Sequence, residues 1–319
     1  MSGYAAWKTW LNWKPKLFAN SYLPESCDAS IPKSLVYNSV TNPKGVRCDL
    51  QDNQVNVYGR DPKTGFARRV FDNVGIQYGL AVFNAGRISA EKFLDLNERA
   101  GGYDADGRAT STRSVADTEA LRAAYRTGRV NSASRLGSMP IIDNRKYVDT
   151  DANNHDRVRT FVMQARLKRA NGRADNMVIL TNPQNVKLVE LMDHWLDNIA
   201  NDHSQDSAAA KVARDKPAEL ADACWTADGE RITEPASYRG PGRCNQLYPA
   251  HADPRLIAGE PLTNDVLKCT LKPVDPEDYR QPLSAAQITR LKAIFPNGVC
   301  DNRRPGVEQQ TTAEAWLKY

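Results

Sequence analysis

The 319-residue chain lacks the features that assign a sequence to several large protein classes. It has no apolar run of about 18 residues, so we expect no membrane-spanning helix. It has no block of like charges, and its net charge of +5 is spread along the chain, so we expect no binding to nucleic acid. It has no G-x-G-x-x-G motif and no phosphate-binding loop, so the sequence does not support a nucleotide-binding function.

The first twenty residues lack the apolar core and the small-residue cleavage site of a signal peptide. Instead they contain Trp7, Trp10 and Trp13, whose spacing of three predicts one face of a helix. We expect these rings to pack in a core; a platform that stacks on carbohydrate is the alternative.

The chain also lacks the G-x-S-x-G elbow that carries the serine nucleophile of many hydrolases. The nearest match is GIQYG at 75–79, where Gln77 stands in the place of the serine and cannot attack a carbonyl. Ser132, Ser134 and Ser138 lie near a predicted strand but outside any elbow. A complete enzyme that uses Ser132 or Ser138 therefore stays an alternative, although nothing in the sequence activates either residue.

Six cysteines are present, and they fall into three local pairs in turn-rich sequence. No C-x-x-C motif or Cys/His cluster has the spacing of a zinc site. We therefore expect disulfides, and an even set of cysteines in loops indicates an oxidising compartment, that is, a secreted or periplasmic protein. Free buried thiols in a cytosolic protein are the alternative. The predicted pairs are Cys27–Cys48, Cys224–Cys244 and Cys269–Cys300.

The most regular pattern predicts a βαβα unit. An apolar run at 138–142 predicts a buried strand, 156–171 an amphipathic helix, 176–181 a second strand and 185–200 a second helix. This order normally makes a right-handed crossover in a parallel sheet. Functional groups of such sheets lie at the carboxyl ends of the strands, which points to the loop after Ile142.

The sequence therefore divides into three predicted regions: a helical and loop region at 1–130, the βαβα core at 131–206, and a cysteine-rich wrap at 207–319. Within the first region, the alternation of QVNVY at 54–58 predicts a short strand.

The loop from Asp149 to Arg157 is dense in functional groups. His155 stands just before the predicted helix, with Asp149 and Asp151 close by in sequence. A histidine is the usual general base near neutral pH, and a carboxylate beside it orients the ring. The alternative is a helix start at which acidic residues serve as caps.

A second candidate histidine lies in the wrap. His251, in YPAHADP, is either the histidine of a catalytic triad or a substrate contact; a structural or surface imidazole is the alternative. His194 and His203 lie on or after a predicted helix and are given no role.

Calcium is the one cofactor that the sequence leaves open. Asp149, Asp151 and Asn153 alternate like the first ligands of a calcium loop, but the glycine and the final glutamate of an EF-hand are absent. Asp104 and Asp106 form another small oxygen cluster and a candidate calcium site. A plain polar loop is the alternative at both places.

Several longer stretches resemble an uncharacterised bacterial family of secreted, tannase-like α/β-hydrolase proteins. The resemblance covers about residues 20–306 and concerns the C-terminal part of the family, whose members are longer and carry the signal peptide and the serine elbow further upstream. The stretches are GFARRVFDNVGIQYGLAVFNAGRIS (65–89), ALRAAYRTGRVNS (120–132), MPIIDNRKYVDTDANNHDRVRTF (139–161) and NQLYPAHADPRLIAGEPLTNDVLKCTLKPVD (245–275).

The resemblance implies an α/β fold: the C-terminal part of an α/β-hydrolase-type parallel sheet, with a helical lid region at 1–130 and a loop-rich, disulfide-pinned wrap. It also implies that the chain supplies the acid, Asp151 or Asp149, and the histidine, His155. The loop after the last strand contains no histidine, so either His155 has an unusual place or His251 reaches the site from the wrap.

The leading hypothesis is the C-terminal portion, or a processed subunit, of a secreted serine hydrolase that cleaves small carboxylic esters through an acyl-enzyme. The serine would come from an N-terminal partner segment. The second hypothesis is a non-catalytic secreted binding or assembly module, with calcium as its candidate ligand. A half-hydrolase should expose an apolar face or a strand edge where its sheet is interrupted, whereas a stand-alone module should bury its edges.

Overall fold

A computed structural model describes residues 27–38, 40–48, 50–104, 108–151 and 155–312. The tryptophan-rich segment, Asp106 and Asn153 lie outside these residues. The described chain forms two compact units, which we name the sheet unit (132–253) and the helix-rich unit (27–131 with 254–312). The terms lid and wrap for the flanking regions stay predictions.

Ten α-helices and eight strands are formed by the described residues. The helices are α1 Leu50–Tyr58, α2 Leu80–Asn84, α3 Ala90–Glu98, α4 Thr118–Arg126, α5 Val158–Asn171, α6 Leu188–Asn201, α7 Ala208–Arg214, α8 Arg243–Leu247, α9 Pro254–Ile257 and α10 Ala285–Ile294. The strands are β1 Gly102–Tyr103, β2 Ala109–Thr110, β3 Ile141–Arg145, β4 Met177–Thr181, β5 Ala223–Trp225, β6 Arg231–Thr233, β7 Leu271–Lys272 and β8 Val299–Cys300.

The sheet unit contains a four-stranded sheet in the order β3-β4-β5-β6. β3, β4 and β5 run parallel, and β6 returns antiparallel to β5. The predicted parallel βαβα arrangement is therefore confirmed. The predicted bounds of the first strand were wrong, because pairing begins at Ile141 rather than at Ser138. Pro140 has no N–H to give to a ladder, and the side chain of Asn176 binds the carbonyls of Leu136 and Met139 in the turn before it.

β4 forms the centre of the sheet unit, and all five of its residues are buried. Its apolar run packs against one face of α6, where Trp195 is fully buried and donates its indole N–H to the carbonyl of Val212 at 2.9 Å. This core holds the carboxyl ends of β3 and β4 in a fixed arrangement.

β5 and β6 form a hairpin inside the region expected to be a wrap. Each strand has only three residues, which is too few to show the alternation of apolar and polar residues that is typical of a strand. The sequence pattern therefore did not predict them. β5 extends the parallel sheet at Leu180 and Thr181 of β4.

In the helix-rich unit, side-chain caps set the helix starts. Ser89 and Asp117 accept the backbone N–H groups at the starts of α3 and α4, and Ser284 with Gln287 forms a capping box on α10. The core of this unit includes the stacked rings of Phe83 and Phe93, whose centroids are 4.8 Å apart.

The strand predicted at 54–58 was wrong, since these residues form the last turns of α1. Alternation over five residues does not exclude a helix. In the first turn of α1, the carboxylate of Asp52 accepts the backbone N–H groups of Arg47 and Cys48, which precede the helix, and α1 packs against α4. Local hydrogen bonds and packing therefore outweigh the strand propensity of the two valines.

The structure forms three disulfides, and they join the predicted pairs Cys27–Cys48, Cys224–Cys244 and Cys269–Cys300.

No helix among the described residues has the length and hydrophobicity of a membrane span.

Candidate functional site

The buried carboxylate of Asp149 is the central group at the carboxyl end of β3. Asp149 begins the short 3-10 helix Asp149–Asp151 and is 2% exposed. Its Oδ1 accepts the backbone N–H of Arg157 at 2.7 Å, and its Oδ2 accepts the backbone N–H of His251 at 3.2 Å. Arg157 is the N-cap residue of α5, so the negative charge lies where a helix favours it.

His251 approaches this carboxylate through its main chain. The residue is 9% exposed, and its Nδ1 is buried and has no hydrogen-bond partner among the described residues. A buried polar atom without a partner costs about 1–3 kcal/mol, and native structures contain few of them. The Asp149 carboxylate therefore contacts the main chain of His251, and no hydrogen bond joins it to Nδ1 of the ring, as it would in an assembled triad.

Arg157 joins the elements that meet at this site. Its guanidinium is buried; Nη1 donates to Asn245 Oδ1 at 2.7 Å and to the carbonyl of Tyr248 at 2.5 Å. Nε donates to Thr181 Oγ1 at 3.4 Å, at the end of β4. Burial lowers the pKa of this guanidinium, and the charge of Asp149 opposes that effect.

Tyr147 holds the same segment from the other side. Its hydroxyl donates to the carbonyl of Pro249 at 2.9 Å, and its ring lies 5.2 Å from that of Tyr248. Burial, with a smaller contribution from the charge of Asp149, raises the pKa of Tyr147 to about 12. The phenol therefore stays protonated, and able to donate, across the neutral range.

The disulfide Cys224–Cys244 ties α8, which precedes His251, to strand β5. Glu234 completes the attachment, because its two carboxylate oxygens accept the backbone N–H groups of Arg243 and Cys244 at the start of α8. A cavity of about 10 Å³ between Arg157 and α8 has room for about one water. This space between Arg157 and α8 is therefore too small for a substrate.

A second charged group borders the site. Arg159 pairs with Asp156 at 3.0 Å and with Asp253 at 3.2 Å. Burial raises the pKa of Asp156. The hydroxyl of Tyr238 is buried nearby, and burial raises its pKa.

The structure separates the four predicted catalytic residues. Asp149 and His251 come together in the interior, whereas Asp151 and His155 are exposed. The carbonyl of His155 accepts Arg145 Nη1 at 3.0 Å, and Asp151 accepts the hydroxyl of Thr150.

The three candidate serines and Gln77 of the GIQYG segment make local structural contacts. Ser132 Oγ lies 3.0 Å from Ser134 Oγ on the surface, and Ser138 is exposed. Gln77, which replaces the elbow serine, is buried in the helix-rich unit and accepts the hydroxyl of Tyr279 at 2.6 Å.

The candidate calcium ligands are described only in part. Asp104 Oδ1 accepts the backbone N–H of Arg108 at 2.9 Å in the turn between β1 and β2, and its neighbour Asp106 lies outside the described residues. Within the described ranges, no group of three or more His, Cys, Asp or Glu side chains is arranged to hold a metal ion.

Sequence reasoning missed Arg157, Tyr147 and Asn245. The sequence contains one signal for Arg157. It directly follows the candidate histidine and acids, and it stands at the start of a predicted helix whose next turn is apolar. Asn245 and Tyr147 carried no signal, since their roles depend on contacts far apart in the chain.

One side of the sheet unit is open. β3 is an edge strand of the sheet among the described residues, and a groove of about 320 Å³ runs beside it along α6. Val189 and Leu196 on this face of α6 are 84% and 47% exposed. The groove is lined by Ile142, Asn144, Leu188, Val189, Met192, Asp193 and Leu196.

Comparison with known families assigns the chain. The model of a tannase-like family of unknown function (DUF6351) matches residues 1–311. The chain belongs to this family. No curated protein and no solved structure matches it. The tannase-like resemblance predicted from the sequence is thus confirmed, and the match covers all four candidate catalytic residues. Hydrolytic activity, secretion and a bacterial origin stay predictions.

Proposed function

We propose that this chain is the part of a secreted carboxylic-ester hydrolase that supplies the acid and the histidine, Asp149 and His251. The observation that carries the proposal is the buried Asp149 carboxylate, bonded to the main chain of His251 at the carboxyl end of a parallel sheet. Functional groups of α/β sheets gather at this end. Membership of a tannase-like family supports hydrolase chemistry as the reaction class.

In the proposed reaction a serine, contributed from outside the described residues, attacks the carbonyl carbon of a small ester. His251 accepts the serine proton and returns it to the departing alcohol, which leaves an acyl-enzyme. Water then attacks the acyl carbon while His251 accepts a proton from it, and that proton passes to the serine oxygen as the bond to the acyl group breaks and the carboxylic acid is released. Asp149 keeps the segment that carries His251 in place and supplies a negative charge beside the imidazolium that forms.

The buried Nδ1 of His251 supports this assignment over His155. An imidazole nitrogen that is desolvated and has no partner among the described residues is suited to receive one from a second polypeptide segment. His155 and Asp151 lie on the exposed side and stay candidates for contacts with the substrate.

The open edge of β3 and its apolar groove support the view that the sheet continues in another polypeptide segment. Strands of parallel sheets are usually covered on both faces and paired on both sides, and an exposed apolar edge favours association. The three disulfides fit an extracellular or periplasmic location.

The test compares this chain alone with the whole polypeptide of its reading frame, using a short-chain p-nitrophenyl ester and a fluorophosphonate that labels activated serines. We expect the chain alone to neither hydrolyse the ester nor react with the probe, and the whole polypeptide to do both. His251→Ala should abolish hydrolysis, and the matched variant His155→Ala should retain it.

Robust hydrolysis and labelling by the chain alone would show that it has its own nucleophile. Loss of activity in His155→Ala with retention in His251→Ala would assign the base to His155 instead. Inactivity of the whole polypeptide on esters of several acyl lengths would favour a non-catalytic binding module.

A further inference from the structure

Arg157 has an unusual position, because its main chain and its side chain contact the two halves of the candidate site. Its N–H donates to the Asp149 carboxylate at 2.7 Å. Its guanidinium contacts Asn245 and Tyr248, which lie a few residues before His251. A single residue thus links the acid to the segment that carries the histidine.

The burial of Arg157 calls for a specific explanation. A buried guanidinium is costly unless its donors are satisfied, and a helix start packed on Phe161 could equally hold an apolar residue. Here the side chain reaches two acceptors on the His251 segment and one at the end of β4, through three N–H···O contacts. The planar, forked guanidinium can bind such divergent acceptors at fixed angles, which an ammonium cannot.

We infer that Arg157 is a positioning residue, which sets the distance and orientation of the His251 imidazole relative to the Asp149 carboxylate. This inference rests on the proposed function for its catalytic consequence, but the structural coupling between Arg157 and His251 can be measured without any reaction.

Other attachments hold the same segment, and two of them make the inference testable. The hydroxyl of Tyr147 binds the carbonyl of Pro249, and the disulfide Cys224–Cys244 holds α8 to β5. Loss of the Arg157 side chain should therefore shift the histidine without releasing the segment or unfolding the sheet unit.

The first measurement is NMR of the imidazole C–H groups in protein labelled at its four histidines. In Arg157→Ala we expect the His251 resonance to shift and broaden, while those of His194 and His203 stay in place. Millimolar guanidinium should restore the His251 resonance, because it can refill the space left by the side chain; a loss of stability alone would not be reversed in this way. Arg157→Lys should give an intermediate shift and serves if the alanine variant does not fold.

Arg113→Ala is the matched control. Arg113 is partly buried, and its guanidinium, like that of Arg157, binds backbone carbonyls, here those of Asn73, Ile76 and Asn97, but it belongs to the helix-rich unit. We expect this variant to leave the His251 resonance unchanged. A His251 resonance that is the same in wild type and Arg157→Ala, or that responds equally to both variants, would overturn the inference.

The second measurement is the kinetics of ester hydrolysis by the whole polypeptide. A misplacement of about 1 Å can lower the rate about 10²-fold, so Arg157→Ala should lower kcat by that order and change KM little. If the resonance responds but the wild-type polypeptide hydrolyses no ester, the positioning of His251 is supported and the proposed function is overturned. If hydrolysis is normal in Arg157→Ala, the positioning role is overturned and the proposed function stands.

Discussion

The carboxylate of Asp149 binds the backbone N–H of His251 at 3.2 Å, although 102 residues separate the two in sequence. The other oxygen of the same carboxylate binds the N–H of Arg157 at the start of α5. Charge-assisted hydrogen bonds of this kind are roughly twice as strong as neutral ones. Asp149 therefore joins the loop after β3 to the segment before Pro254, and the geometry of the site depends on it.

Asp149→Asn should weaken this junction. An amide has one oxygen, so one of the two backbone N–H groups would face the NH₂ group and stay unsatisfied. We expect the free energy of unfolding to fall by about 1–3 kcal/mol. Urea unfolding followed by circular dichroism measures the change.

Asp151→Asn is the control for this prediction, because Asp151 lies in the same short helix and is exposed. A surface substitution of this kind usually changes stability by less than about 0.5 kcal/mol. Equal effects of the two substitutions would mean that the buried carboxylate does not join the two segments.

Removal of the disulfide Cys224–Cys244 by paired alanine substitution should loosen the His251 segment. The two cysteines are 20 residues apart and buried, and closing a loop of this length contributes about 3 kcal/mol. Hydrogen exchange read by mass spectrometry should rise in 223–251 and stay unchanged in the helix-rich unit.

Paired removal of Cys27–Cys48, which closes a loop of 21 residues in the helix-rich unit, is the matched control. It should raise exchange around 27–48 only. If exchange at 245–251 responded equally to both changes, the local anchoring role of Cys224–Cys244 would be excluded.

The parallel core could be predicted from the sequence because its elements are long and its pattern is strong. NMVILT at 176–181 is an apolar run of strand length, and the flanking helices repeat apolar residues at helical spacing. The cysteine pairs could be predicted because each pair is local. Ser89 and Asp117 each accept a backbone N–H three residues further along the chain, and a cap of this kind can be predicted because it is a contact between near neighbours.

The site itself could be predicted only in part. The loop after β3 contains several acidic residues and a histidine, and this composition pointed to Asp149. The hydrogen bond to His251 joins two segments that are far apart in the chain, so no local sequence pattern predicts it. The hairpin β5–β6 was missed because each strand has only three residues. The helix α1 was mistaken for a strand because five alternating residues fit both periods when packing is unknown.

Tyr125 should make the helix-rich unit sensitive to alkaline pH. Its hydroxyl is buried, donates to the carbonyl of Asp265 and accepts the N–H of Leu267, each at 2.9 Å. Burial raises the pKa of Tyr125 from 10.0 to about 12. Between these values the folded state keeps a proton that the unfolded state releases, so the stability that this group contributes falls as pH rises from 10 to 12.

Tyr125→Phe should therefore lower stability at neutral pH by about 1–3 kcal/mol, through the two unsatisfied backbone groups, and should flatten the alkaline loss. Thermal unfolding as a function of pH measures both effects, and absorbance at the tyrosinate band follows ionisation directly. A wild-type protein whose tyrosines all ionise near their ordinary pKa would contradict the prediction, as would identical alkaline slopes in the two proteins.

The open groove beside β3 should make the chain associate with itself when it is expressed alone. Val189 is 84% exposed on the groove face of α6, next to β3, which is an edge strand of the sheet among the described residues. Apolar surface beside a strand edge favours contacts between chains. We expect sedimentation velocity to show association that increases with protein concentration, and Val189→Glu to reduce it without lowering stability.

Val40→Glu is the matched control, since Val40 is 86% exposed and belongs to the helix-rich unit. Both substitutions add one negative charge at an exposed valine, so a general effect of charge on solubility would appear in both. Association that falls only in Val189→Glu would locate the contact at the groove and would support an interrupted sheet. Association that falls equally in the two variants, or a wild-type chain that stays monomeric at high concentration, would mean that the edge of β3 needs no partner, and the case for a second polypeptide segment would lose its structural support.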